Sequence, residues 1–123
     1  MHFTIPIPPV TKKNCSQIVL AGGRPRIIPS KRYKDYEKDC MKILKAENID
    51  YPINIKAIYY MPSRRRVDLC NLHEALCDVL VSCNVIVDDN SNIIASMDGS
   101  RVLYDKENPR TEVYITRISD ASE

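Results

Sequence analysis

The chain has no apolar run near the roughly 18 to 20 residues needed to cross a bilayer, so nothing in it supports a membrane role. It has no regular cysteine framework either. Its five cysteines, Cys15, Cys40, Cys70, Cys77 and Cys83, are odd in number, and no charged-then-apolar leader precedes them. Reduced thiols in a cytoplasm are therefore expected. Internal repeats, low-complexity segments and linkers are also missing, and at 123 residues one hydrophobic core, a single domain over 1–123, is the expected arrangement. A strong net charge is lacking too. The formal balance of +2 is too mild to establish a polyanionic partner, because nucleic-acid binding depends on where charge sits. What remains is ordinary globular composition, 44% hydrophobic and 28% charged, which requires neither disorder nor a disulfide scaffold.

The distribution of charge says more than its total. Cations crowd the first half (Lys12, Lys13, Arg24, Arg26, Lys31, Arg32, Lys34, then Arg64, Arg65 and Arg66), while carboxylates recur at Asp68, Glu74, Asp78, Asp88, Asp89 and Asp98. A basic surface beside an acidic pocket is what a metal-using phosphodiesterase requires. A solvated, mixed-charge surface is the plainer account that composition alone would favour.

Residue patterning gives a coarse map. His2 to Ile7 alternates weakly and stops at Pro8-Pro9, as a strand near a sheet edge does. Ser16–Leu20 and Arg24–Ile28 flank Gly22-Gly23, as two short strands of a hairpin or as a flexible basic arm. Ser30 is placed to cap a helix carrying Tyr33, Tyr36, Cys40 and Ile43 and ending near Asn48. Ile53, Ile55, Ala57 and Tyr59 alternate with polar residues in the clearest strand, which Pro62 ends. From Asp68 to Cys83 the apolar residues Leu69, Leu72, Leu76, Val79 and Leu80 repeat at helical spacing, with Asp68 as the natural N-cap. Val85-Ile86-Val87 then runs into Asp88-Asp89, and Asn92–Met97 and Thr111–Ile118 read as closing strands, with turns at Asp98-Gly99 and Asn108-Pro109. The fold class that follows is α+β: a two-layer domain, its mixed and largely antiparallel sheet packed against two helices, without the βαβα run of a doubly wound sheet.

The most informative stretch is Arg64-Arg65-Arg66-Val67-Asp68-Leu69-Cys70-Asn71-Leu72, followed after a helix by Asp88-Asp89. Taken singly these residues are bland: a helix cap, a turn, a solvated loop. Together, an arginine-rich run entering an Asp-x-Asp-Asn-Leu type of helix start, with an Asp-Asp pair beyond the helix, resembles the signature of RusA-type Holliday junction resolvases. The likeness spans the central and C-terminal two-thirds of the chain.

That resemblance implies a homodimer that hydrolyses phosphodiesters of four-way DNA junctions, in recombination and repair, with Mg²⁺ (or Mn²⁺) held by clustered carboxylates. A hard cation takes oxygen ligands and keeps several waters, polarising the phosphoryl group and lowering the pKa of its bound water. Carried over, the first motif aspartate falls on Asp68 and the one after the helix on Asp89, with Asp88 in the outer shell. Two positions depart from the pattern: Cys70 stands where the family has its second aspartate, and Glu74 where it has a lysine. A soft thiol is a poor magnesium ligand. Glu74 lies one helical turn from Cys70, on the same face, so the missing carboxylate reads as moved along the helix. The expected metal and catalytic set is Asp68, Glu74 and Asp89, with Asp78 and Asp98 as substitutes. Asn71 is expected to orient a ligand or water, and Arg64, Arg65 and Arg66 to bind DNA phosphates without reading sequence.

Competing readings are a junction-binding protein that has lost cleavage, favoured by the two departures, and a small basic scaffold unrelated to DNA, favoured if the three carboxylates lie apart. Cys70, His73 and Cys77 share a helical face, but one continuous helix rarely closes a tetrahedral zinc site, and no second Cys/His cluster accompanies them.

Overall fold

A computed structural model describes residues 1–11, 16–29 and 31–118. The first strand, β1 (His2–Ile5), is shorter than its alternation suggests, because the Ile7 amide donates back to the Ile5 carbonyl at 2.9 Å and turns the chain before the prolines. Ser16–Ala21 (β2) and Arg24–Pro29 (β3) pair antiparallel as a separate two-stranded sheet, so the glycine pair makes a hairpin turn. Ala21 faces Arg24 across Gly22 and Gly23, at φ 62° and 78°, the positive angles that a two-residue hairpin turn demands.

Helix α1 (Lys31–Ile43) follows; its expected cap, Ser30, lies outside the described residues. The helix stops before Asn48. Beyond it the amides of Glu47 and Asn48 both donate to the Asn84 carbonyl, at 3.0 and 2.9 Å, and Ile49 forms a parallel bridge with Ile86. The segments leaving the two helices are thus tied together, and Asn48 and Asn84 adopt left-handed angles, φ 51° and 59°, to make the turns. Beyond the end of α1, a tertiary pairing takes up the chain.

The remaining elements are β4 (Ile53–Met61), α2 (Leu69–Ser82), β5 (Ile94–Ser96), β6 (Arg101–Tyr104) and β7 (Arg110–Arg117). Strand β7 lies between β1 and β4, antiparallel to both, while β5 and β6 run parallel to β4 along its far edge. Strand β6 is absent from the pattern-based reading. Between β5 and β6 the edge is bridged by side chains: the Asn54 carboxamide accepts from the Asp98 amide at 2.8 Å, and the Ser100 hydroxyl accepts from the Ala57 amide at 3.0 Å.

The helices cover one face of the main sheet. Ile53, Ile55, Ala57 and Tyr59 of β4 and Val113 of β7 are at most 1% exposed, against Tyr33, Tyr36 and Cys40 of α1 and Leu72, Ala75, Leu76, Val79 and Leu80 of α2. Each large apolar side chain so buried contributes about 1.5–3 kcal/mol before the entropy of ordering it. The opposite face carries a polar network. Arg110 Nε donates to Glu112 at 2.7 Å, its guanidinium reaches Asp105 at 2.9 Å and lies 3.9 Å from the Tyr60 ring centroid, and His2 stacks on Tyr114. Among the described residues no helix is long and apolar enough to cross a membrane. Cys40, Cys70, Cys77 and Cys83 are free thiols, and Cys15 lies outside the described residues.

Candidate functional site

Strand β4 leaves the core at its half-buried last residues, Tyr60 and Met61, and the chain then passes through the exposed run Ser63–Arg66 before α2 begins. That run sits between two grooves. One, of about 610 Å³, is lined by Tyr60, Met61, Arg64, Val102, Leu103 and Tyr104, with Arg65 and Arg66 at its side. The other, of about 530 Å³, is lined by the same Arg65 and Arg66 together with Arg32, Val10 and Thr11. The strand-to-helix turn therefore concentrates guanidinium groups at the C-terminal end of β4. Two contributors lie outside the site expected from the sequence: Arg32, whose helix start is brought alongside by the fold, and Tyr104, which belongs to the unforeseen β6.

Asp68 occupies the N-cap position of α2 with extended angles, φ −90° and ψ 123°, yet its side chain makes no capping hydrogen bond. Its carboxylate instead accepts from Asn71 Nδ2 at 3.2 Å. The first amides of α2 are therefore not covered by the Asp68 side chain, and the positive end of the helix dipole adds to the arginine charge there. The Asn71 carboxamide thus holds the Asp68 side chain within the first turn of α2. Cys70 and Glu74 are both exposed, one turn apart on the outer side of α2.

Asp88 is spent on its own loop, accepting from the Asp89 amide at 2.7 Å and from Asn90 Nδ2 at 2.9 Å. Asp89 beside it is exposed. Asp89 lines a third groove, of about 460 Å³, with Tyr33, Lys34 and Glu37 of α1 and Asp78, Val81 and Ser82 of α2. Burial, reinforced by Asp89 and Asp78, pushes the Cys77 thiol up to about 12, so the free thiol is protonated at neutral pH. Burial, then Asp78 and Glu37, likewise raise the Tyr33 phenol. His73 is kept neutral by burial and meets the Tyr59 hydroxyl at 2.8 Å through Nδ1.

The expected carboxylates are thus divided: Asp68 beside the arginine run, Asp89 in the groove with Asp78, Glu74 on the outer face. Among the described residues no group of three or more His, Cys, Asp or Glu side chains is arranged to hold a metal ion. The donors suit a hard cation in chemistry, but they form no preformed three-ligand cage.

The model of one protein family, described as Endodeoxyribonuclease RusA, matches residues 6–116. No curated protein matches the chain.

Proposed function

The chain belongs to the RusA endodeoxyribonuclease family, and from that premise we propose that it hydrolyses phosphodiesters at four-way DNA junctions, in recombination and repair. The observation that carries this reading is the arginine run lining two grooves and leading directly into an exposed Asp68 that is oriented by Asn71 and not consumed as a helix cap. Arg64, Arg65 and Arg66 bind backbone phosphates flanking the cut, interactions that position DNA without reading its sequence. The amide end of α2 adds to their pull on a phosphate.

The divalent cation in this proposal is Mg²⁺, with Mn²⁺ as a substitute. In this proposal Asp68, Glu74 and Asp89 are the carboxylates that would supply oxygens to the cation, with substrate phosphate completing its shell. When bound it supplies an activated water and polarises the phosphoryl group. A four-way junction has two-fold symmetry and its resolution needs paired cuts, so the working form is a homodimer.

A second reading, junction binding without cleavage, is favoured by the exposed Cys70 at the family's second aspartate position and by the lack of a preformed ligand cage among the described residues. One experiment separates the two: a labelled four-way junction and a linear duplex, each with and without Mg²⁺ or Mn²⁺, for the native chain, Glu74→Gln and Cys70→Asp. The nuclease reading expects metal-dependent cutting of the junction by the native chain, a large loss in Glu74→Gln and little change in Cys70→Asp. The binding-only reading expects cutting to emerge only in Cys70→Asp.

A further inference from the structure

The larger of the two arginine-lined grooves has an apolar and aromatic floor that phosphate binding alone does not use. Leu103 and Tyr104 are large apolar side chains left 42% and 39% exposed, at the end of β6, and Val102, Val67 and Met61 continue the surface beneath them. Arg64, Arg65 and Arg66 line the same groove, so it combines cationic groups with an aromatic shelf. The Tyr104 ring already holds a flat partner: the Arg64 guanidinium lies 4.5 Å from its centroid. A nucleotide presents the same two chemistries, an anionic phosphate and a flat π-face, at the same close spacing. Duplex DNA keeps its bases stacked inside and offers such a shelf nothing, whereas an unpaired or unstacked base offers it a whole face.

We propose that this groove takes one unstacked nucleotide of the bound DNA, its base lying on Tyr104 in the place Arg64 now occupies, and its phosphate pairing with the displaced Arg64 guanidinium and with Arg65. The exchange keeps the ring stacked in both states and moves the cation from ring to phosphate, where its charge is more strongly matched. Tyr104 is then a specificity-determining residue that favours DNA with unstacked bases over perfect duplex. Stacking is tolerant of base identity, so the preference is for structure and not for sequence. The inference rests on the reading of this chain as a junction-binding protein.

The test measures binding without divalent metal to three probes: a four-way junction, a duplex carrying one unpaired 2-aminopurine, and an unbroken duplex. Tyr104→Ala is expected to weaken binding to the first two by about tenfold while leaving the unbroken duplex within about twofold, because the arginine–phosphate pairs are untouched. Tyr104→Phe, which keeps the ring, is expected to bind all three as the native chain does, and 2-aminopurine fluorescence should respond to the native chain and Tyr104→Phe but not to Tyr104→Ala. A native chain that binds DNA while Tyr104→Ala binds every probe equally well overturns the inference and leaves the nuclease reading standing. A native chain that binds none of the probes overturns both. If Tyr104→Ala instead changes the sedimentation of the protein and weakens all probes alike, the shelf is a surface for a second copy of the chain and the inference is overturned.

Discussion

The two ends of α2 differ in charge and in what surrounds them. At its start the helix emerges from an exposed arginine run, with Asp68 the carboxylate beside it and open grooves on either side. Along its second half it lies against α1, where Asp78, Glu37 and Asp89 line one groove with the phenol of Tyr33. The first region is built to attract phosphate, the second to repel it. A nuclease needs both properties but must keep them from cancelling: charges closer than the Debye length of about 8–10 Å neutralise each other's reach. Under the proposed function, the start of α2 would supply the phosphate-binding cations, and Asp68 there and Asp89 in the acidic groove would both be carboxylates of the reaction.

The sharpest way to break this comparison is to remove one carboxylate from each region. Asp68→Asn and Asp89→Asn are each expected to lower junction cleavage by at least about 100-fold, with binding unchanged or tighter because one negative charge near the phosphates is gone. Single-turnover cleavage and anisotropy binding on one labelled junction report both quantities. Native turnover in Asp89→Asn would show that the acidic groove lies outside the reaction.

Replacing Arg64, Arg65 and Arg66 together by alanine tests the basic region. Affinity for junction and duplex alike should fall, and the slope of log affinity against log salt should flatten by about 0.9 for each phosphate that is no longer neutralised. An unchanged slope would remove the run from the DNA interface.

The smallest effect concerns the sheet that holds the two regions in place. Burial opposes ionisation of Glu112, yet hydrogen bonds from Thr4, Arg110 and His2 outweigh it and bring the carboxyl down to about 2. Its folded value is below its ordinary 4.5, so its contribution to stability is present above about pH 4.5 and is lost as pH falls towards 2. Urea unfolding across that window should show the native chain losing stability and Glu112→Gln changing less. Since Arg110 is held by Glu112 and stacks on Tyr60, which lines the larger basic groove, the variant should also weaken junction binding slightly.

Much of this was legible in the sequence, for reasons that are local. The alternation of Ile53, Ile55, Ala57 and Tyr59 marks β4, and the spacing of Leu72, Leu76, Val79 and Leu80 marks α2, because burying one face forces those periods. The glycine pair fixed its hairpin through backbone angles that other residues rarely adopt. The motif from Arg64 to Leu72, with Asp88-Asp89 beyond it, carried the family resemblance. Strand β6 escaped because Arg101-Val102-Leu103-Tyr104 has no alternation, and its pairing is parallel with residues some forty positions earlier in the chain. The true end of α1 escaped because Asn84, from the far side of α2, supplies the carbonyl that receives the departing chain.

The sequence by itself determined which residue types could serve: guanidinium groups for phosphate, carboxylates for a hard cation, and a thiol at position 70 where the family has an aspartate. Only the tertiary structure decided how they are shared out. It grouped Asp89 with Asp78 and laid Tyr104 beside Arg64. Spacing along a helix or strand follows from fixed local geometry, whereas the distance between two elements depends on how their buried faces pack, and no single segment of the chain contains that information.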